Sequence, residues 1–279
     1  MVDLASTFRS TGTGRDLHPR ACARDDVDAM NADEVVIVTG ASRGIGAATA
    51  RIAAARGYRV CVNYRRDRAS ADAVVDAIRA EGGRAFAFGA DVADEASVVA
   101  LFEAVDRELG VASALVNNAG VLEVQRRVED MDAGRLARVL AVNVVGAFLC
   151  AREAVRRMST HRGGRGGAIV NVSSAASRLG SAGEYVDYAA SKGAVDSLTI
   201  GLSREVAAEG IRVNAVRPAF IHTDIHASGG EPGRIDRIKD SIPMRRGGEP
   251  DEVARAILWL LSDEASYVTG TFIDLAGGK

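Results

Sequence analysis

The stretch Val35-Val36-Ile37-Val38-Thr39-Gly40-Ala41-Ser42-Arg43-Gly44-Ile45-Gly46 decides how this chain reads. Consecutive β-branched residues suit a strand buried on both faces. The glycines that follow let the backbone turn sharply into a stretch rich in alanine and arginine that has the composition of a helix. The free N–H groups at such a helix start, together with its dipole, favour negative charge, so a strand, turn and helix of this kind can hold a pyrophosphate. The spacing is Gly-x-x-x-Gly-x-Gly, not the commoner Gly-x-Gly-x-x-Gly. A glycine-rich turn alone also serves tight packing. At the start of an alternating fold it points to a dinucleotide, and it nominates Gly40, Ser42, Arg43, Gly44, Ile45 and Gly46 as cofactor-binding.

Outward from the turn, short apolar runs alternate with longer amphipathic stretches. The candidate strands are Val35 to Thr39, Arg59 to Asn63, Ala85 to Phe88, Ala114 to Asn117, Ala168 to Val172, Arg212 to Val216 and Thr271 to Leu275. This pattern predicts an α/β, single-domain, Rossmann-type doubly wound fold over residues 34–279, with a seven-stranded parallel sheet flanked by helices. Residues 1–33 lack apolar periodicity and read as a disordered extension with no catalytic part, the natural start being Met30. They suit neither a secretory signal nor a transit peptide, because acids are interspersed with the arginines.

The 279 residues are 47% apolar and 26% charged, with a formal net charge of -2. That composition excludes a fibre, a disordered tail protein and a disulfide scaffold. The balanced charge supplies no global field toward nucleic acid or an anionic membrane, and no run approaches about 18 consecutive apolar residues. A soluble, cytoplasmic protein is expected, with neither nucleic acid nor membrane as partner. Cys22, Cys61 and Cys150 are too few and too scattered for a disulfide framework, and no metal site is expected.

Where the second strand ends, an NAD-binding domain usually offers a carboxylate to the adenosine ribose, about 20 residues beyond the glycines. This chain has Asn63-Tyr64-Arg65-Arg66 there. A carboxylate would repel a 2′-phosphate, whereas a neutral amide and guanidinium groups can accept one. Asn63, Tyr64 and Arg65, with Arg43 and Arg66 nearby, therefore favour NADP(H) over NAD(H), though either arginine could be a solvated surface charge.

Tyr188 and Lys192 stand at i and i+4 in Tyr188-Ala189-Ala190-Ser191-Lys192, on one face of a predicted helix. A phenol titrates near 10 in isolation, and a neighbouring ammonium favours its ionised form, which makes it usable as an acid or base. Ser173-Ser174 follows a strand at the edge of the sheet where open α/β folds bind ligands, and a hydroxyl there can hold a substrate oxygen. Asn143 is a polar residue in an apolar helical stretch and on its own reads as a core amide.

With these motifs in this order, Val35 to Gly278 resembles the short-chain dehydrogenase/reductase family. The likeness rests on the Thr39 to Gly46 turn, Asp91-Val92, Asn117-Asn118-Ala119-Gly120, Asn143, Ser174, and Tyr188 with Lys192. It implies a homotetramer or homodimer in which Tyr188 exchanges the proton, Lys192 lowers its pKa and holds the nicotinamide ribose, and Ser174 polarises the carbonyl. Asn143 would place a water in a proton relay. Asp91 and Val92 would contact adenine, Asn118, Ala119 and Gly120 would shape the cofactor groove, and Pro218, Ile221 and Thr223 would line the nicotinamide.

Two departures from the family pattern stand out. The loop before Tyr188 is one residue longer than in close relatives, so anchoring on the strand end selects Ser174, with Ser173 as a turn residue or cofactor contact. Ala219 replaces the usual glycine after Pro218, and cofactor binding is expected to survive the change, with weakening as its one effect.

The segment from His222 to Pro243 reads as a mobile lid. Leu136 to Met158 and Tyr188 to Glu209 read as helices apolar around much of their circumference, implying burial against another subunit. The expected activity is NADP(H)-dependent interconversion of a small-molecule carbonyl and an alcohol. The alternatives are a 3-oxoacyl-[acyl-carrier-protein] reductase, disfavoured by Glu209 although Arg165 suits it, a sugar or polyol dehydrogenase, or a non-catalytic NADP(H)-binding regulator.

Overall fold

The computed structural model describes residues 34–279, so the expectations for residues 1–33, including the start at Met30 and the thiol of Cys22, lie outside the described residues. The strands are β1 (Val35–Val38), β2 (Arg59–Tyr64), β3 (Ala85–Gly89), β4 (Ala114–Asn117), β5 (Gly167–Val172), β6 (Ile211–Pro218) and β7 (Phe272–Leu275). The helices are α1 (Gly44–Ala55), α2 (Arg68–Ala80), α3 (Glu95–Glu108), α4 (Ala133–Leu140), α5 (Gly146–Met158), α6 (Ala176–Leu179), α7 (Val186–Val206), α8 (Ile225–Ser228), α9 (Arg234–Ile238) and α10 (Pro250–Leu261). All seven predicted strands are present, with ends shifted by one or two residues.

They form one parallel sheet in the order β3-β2-β1-β4-β5-β6-β7. The winding reverses between β1 and β4, which opens a crevice beyond their carboxyl ends. The inner strands β1, β2, β4, β5 and β6 are buried on both faces, which is why they read as runs and not as alternations, whereas the edge strands β3 and β7 are partly exposed. Val36 and Val38 enter one core layer with Ala50 and Ala53 of α1, Val75 and Ile78 of α2, and Ile257 and Leu260 of α10. Val35 and Ile37 enter the other, with Leu101 and Phe102 of α3, Cys150 and Met158 of α5, and Val206 of α7. The two-residue period of a strand sends alternate side chains to opposite layers.

The helical stretch expected from Leu136 to Met158 is present, with one irregularity. A π-helical turn at Ala141–Val145 joins α4 to α5 and carries Asn143 on its buried side. Such turns insert a residue into the helical ladder and redirect its side chains. By length and composition alone, Ala133–Met158 could cross a membrane; here it packs on α7 and β4. The His222 to Pro243 segment is ordered into α8, α9 and a 3₁₀ turn at Lys239–Ser241.

Candidate active site

The glycine turn is fastened from beneath by two polar side chains, the buried Thr39 and the partly buried Asn118. The Thr39 hydroxyl donates to the Val116 carbonyl at 3.2 Å and accepts the N–H groups of Asn118 and Ala119, each at 3.0 Å. Asn118 Nδ2 donates to the carbonyls of Thr39 at 2.8 Å and Gly40 at 2.9 Å. These bonds bring β1 and β4 so close that a Cβ on Gly46 would stand 2.5 Å from Asn118 Nδ2 and 2.6 Å from the Gly40 oxygen. Gly40 has a φ of +61°, a left-handed conformation that glycine adopts without strain.

Helices α2, α3 and α4 begin at Asp67, Asp94 and Asp132, whose carboxylates accept first-turn N–H groups. Helix α1 begins at Arg43 with no such side-chain cap, so its first-turn donors remain for another acceptor. A cradle with no room for a side chain, next to uncapped helix donors, fits a dinucleotide pyrophosphate.

At the adenosine end, the structure corrects the part expected of Asn63. Its side chain is 1% exposed and fully committed within the protein. Oδ1 accepts the Gly40 N–H at 3.2 Å, while Nδ2 donates to the carbonyls of Phe88 and Ala90, each at 3.2 Å. Asn63 thus pins the glycine turn to β2 and β3 and has no amide left for a phosphate. The charged candidates remain on the cleft wall. Arg65 is half exposed and pairs with Asp91 at 2.8 Å, and Arg43 and Arg66 line the same cavity.

The catalytic candidates meet across β5 and α7. Lys192 is buried, and its Nζ donates to the Val172 carbonyl at 2.7 Å, 5.6 Å from the centroid of the Tyr188 ring. Ser174 stands beside the phenol and favours its ionised form by hydrogen bonding, but loss of solvent outweighs this and pushes Tyr188 up to about 12. Burial likewise presses Lys192 down to about 8, with Asp196 opposing it. Burial is the largest influence on both groups.

Ser173 and Ser174 separate cleanly. Ser173 Oγ turns away to Asp196 Oδ1 at 2.6 Å and the Lys192 carbonyl at 3.2 Å. The Asn143 amide is spent on Val121, whose N–H it accepts at 2.8 Å, and on Ser191 Oγ at 3.0 Å. Asn143 Oδ1 and Lys192 Nζ both face Gly120, where a Cβ would lie 3.5 Å and 3.6 Å from them. Ala219 does not take the left-handed backbone that its replacement of glycine raises as a concern; among the described residues other than glycine, only Ser181 and Arg245 have positive φ.

One cavity of about 460 Å³ is lined by every residue nominated from the sequence except Gly46, which backs the turn, and Asn143, which stands behind Val121. Several supporting residues carry no sequence signal strong enough to nominate them. Thr39 sits within the glycine motif, but its bracing role depends on β4. Asp196 lies one helical turn beyond Lys192, a spacing that could flag it. Arg135 and Asp187 form a buried pair at 2.7 Å, and Arg135 also donates to the Val124 carbonyl at 2.5 Å, tying the loop after β4 to the residue before Tyr188. No spacing rule joins residues so far apart in sequence.

A parallel sheet with a dinucleotide cradle in its crevice, and a tyrosine, a serine and a lysine beside that cradle, defines a nucleotide-dependent oxidoreductase. Residues 40–279 match the family model described as Enoyl-(Acyl carrier protein) reductase. The chain is 63% identical over 245 residues to an oxidoreductase of Escherichia coli (strain K12) named as uncharacterized, YgfF, covering 88% of this chain and 99% of that protein. It is 39% identical over 250 residues to a 3-oxoacyl-[acyl-carrier-protein] reductase of Synechocystis, covering 88% and 96%. It is 40% identical over 248 residues to a cis-4-hydroxycyclohexanecarboxylate dehydrogenase of Sinomonas cyclohexanicum, again covering 88% and 96%. The chain belongs to the short-chain dehydrogenase/reductase family and is an oxidoreductase.

Proposed function

We propose that this enzyme interconverts a carbonyl and an alcohol with NADP(H), using Tyr188 as the general acid and base. The observation that carries this reading is that Tyr188, Ser174 and Lys192 line the same cavity as the glycine cradle. A bound nicotinamide supplies or accepts the hydride. Ser174 is placed to hold the substrate oxygen while charge develops on it. A phenol held near 12 keeps its proton at neutral pH, so Tyr188 is poised as the acid for carbonyl reduction. Lys192, anchored on the Val172 carbonyl, offers its remaining donors to the cofactor ribose. Through Val121 and Ser191, Asn143 fixes the loop and helix on either side of that lysine.

NADP(H) is favoured over NAD(H) because Arg43, Arg65 and Arg66 surround the adenosine end and no carboxylate ends β2. Turnover of a carbonyl panel with NADPH and with NADH, beside Tyr188→Phe, tests both halves of the reading. A clear NADH preference would refute the cofactor assignment, and Tyr188-independent turnover would refute the mechanism.

Reduction of a 3-oxoacyl-carrier substrate is the second reading, favoured by the Synechocystis relative. Glu209, acidic where a docking surface for an acidic carrier should be basic, accepts a hydrogen bond from the buried Ser159 hydroxyl and disfavours it. Sugar or polyol oxidation remains within the proposed chemistry, and no observation favours a non-catalytic regulator.

We also assign a homodimer or homotetramer. Leu140, Val145, Phe148 and Ile200 stay exposed on α4, the π turn, α5 and α7, apolar side chains that a second subunit would cover. On the same helices Val139 and Leu198 are core residues. A cytoplasmic setting accords with Cys61 and Cys150, buried unpaired thiols whose ionisation burial opposes.

A further inference from the structure

Lys192 and Asp196 stand one helical turn apart on α7, a spacing at which a lysine and a carboxylate can close into an ion pair. Lys192 instead donates from Nζ to the Val172 carbonyl at 2.7 Å and faces Gly120 in the cavity. Both oxygens of the Asp196 carboxylate are already claimed. Oδ1 accepts the Ser173 hydroxyl at 2.6 Å, and Oδ2 accepts Arg217 Nε at 3.1 Å and lies 2.9 Å from Arg217 Nη2.

Arg217 reaches Asp196 from β6 and is itself held in place. Its guanidinium lies 3.8 Å over the Phe272 ring, and its Nη1 stands 3.8 Å from Asp274 Oδ1. Asp274 in turn pairs with Arg178 of α6. The Arg217 and Asp196 side chains are 16% and 13% exposed, so salt and solvent screen their pairing little. The charges around Lys192 are thus Asp196 on its own helix, Arg217 of β6 and, beyond it, Asp274 of β7 and Arg178 of α6. Arg135 of α4 and Asp187 at the start of α7 close on each other. An unshared carboxylate one turn away would draw a buried ammonium toward it, because the charged form gains most from an opposite charge where water is excluded. Asp196 already supports the Lys192 charge against burial.

We propose that Arg217 is a positioning residue: with Ser173 it occupies the Asp196 carboxylate, so that the Lys192 ammonium stays directed into the cavity, toward the cofactor ribose, instead of folding back onto its own helix. The inference rests on the reading in which Lys192 holds that ribose, and it names what keeps the lysine available. A guanidinium suits the task, since its fork holds a carboxylate by direction as well as by charge.

The test reads the lysine directly. The chain has three lysines, Lys192, Lys239 and Lys279, so enzyme labelled with ¹³C at the lysine ε carbons gives three resonances, and Lys239→Arg and Lys279→Arg identify the other two. Without cofactor, the Lys192 resonance of the native enzyme should titrate at about 8. In Arg217→Gln that midpoint should rise by about one pH unit. The same variant should raise the Kd of NADPH or NADH, whichever the native enzyme binds tighter, by about fivefold or more. Adding Asp196→Asn removes the competing carboxylate, so the midpoint of the double variant should fall back to the native value or below it, and its Kd should return to within about twofold of native. A residue that only braced β6 against α7 would show no such rescue. An unmoved midpoint in Arg217→Gln, or a double variant as impaired as the single one, overturns the proposal.

Should Arg217→Gln not fold, Arg217→Met removes the same charge with a chain that can keep its place over Phe272, and the same outcomes apply. Neither readout needs turnover. If the native enzyme reduces no carbonyl compound, the carbonyl-reductase reading fails, while the midpoint and the Kd still decide the role of Arg217.

Discussion

The two halves of the cleft are built by different means. On the cofactor side, neutral groups do the holding: the buried Thr39 and Asn63, with the partly buried Asn118, stitch β1, β2 and β4 together, and Gly40 and Gly46 let backbones meet at contact distance. On the substrate side, α8 and α9 are held mainly by ion pairs between partly buried side chains. Gln125 donates to Glu231 at 2.8 Å, Arg234 pairs with Glu184 and Glu231, and the Tyr185 hydroxyl donates to the Gly229 carbonyl at 3.0 Å. Buried neutral networks fix one geometry, whereas solvated ion pairs hold loosely and can be exchanged. One half is thus a permanent frame and the other a fitted cover, and Tyr188, the proposed acid and base, stands where they meet.

The largest expected effect lies at that junction. Tyr188→Phe should cut kcat by about 10²- to 10⁴-fold, the usual worth of a positioned acid or base, while NADPH affinity measured by fluorescence titration stays within about twofold. A parallel collapse of cofactor binding would show that the frame depends on the phenol, and the division between the two halves would fail.

Within the frame, Asn63 and Arg65 lie two residues apart in sequence but should fail in different ways. Arg65→Ala removes a guanidinium from the proposed phosphate site and should lower kcat/KM for NADPH by about tenfold or more, with NADH and the melting temperature little changed. Asn63→Ala orphans the Gly40 N–H and two carbonyl groups. It should lower stability by about 1–3 kcal/mol, a fall of roughly 2–10 °C in the melting temperature. If Asn63→Ala altered cofactor preference with no thermal cost, its side chain would be a ligand contact after all.

This contrast also explains what is legible in the sequence. The frame is made of local patterns, a strand, a glycine turn and a helix start, so Gly40 to Gly46 and all seven strands can be read from the chain. Asn63 is misread there because residue type and place in the chain do not reveal that three backbone groups from other loops have already claimed its amide. The π turn at Asn143 escapes because one inserted residue scarcely disturbs an apolar helical pattern. The cover is legible only as a glycine-rich interruption, since Arg135, Asp187, Glu184 and Glu231 come together through tertiary packing alone.

A smaller effect should appear in the pH profile. Lys192 falls to about 8 in the folded enzyme from an ordinary 10.5. Between those values the unfolded chain binds the extra proton, so the Lys192 contribution to stability rises with pH across that window. Tyr188, raised from 10.0 to about 12, has the opposite sign: its contribution falls as pH rises between those values. For reduction, loss of the Lys192 proton should set the alkaline limb of kcat/KM. Asp196→Asn removes the carboxylate that supports the charged form, so that limb should move to lower pH. A limb that stays in place would separate Asp196 from the electrostatics of the site.

The smallest effect belongs to the cover. Arg237, the strongest influence on Glu231, brings that carboxylate down to about 2, so its ion pairs persist through the ordinary carboxylate range and are lost only as pH falls toward 2. Between about pH 5 and 8 the cover should therefore respond to salt and not to protons. Ion pairs that reach solvent, as Arg237–Glu231 does, contribute about 0–1 kcal/mol each, so Glu231→Gln should raise substrate KM by no more than about fivefold, leave kcat and NADPH affinity unchanged, and weaken the salt dependence of KM. A fall in kcat equal to that of Tyr188→Phe would mean that the cover aligns the reacting groups themselves, and that the frame alone does not hold the chemistry in place.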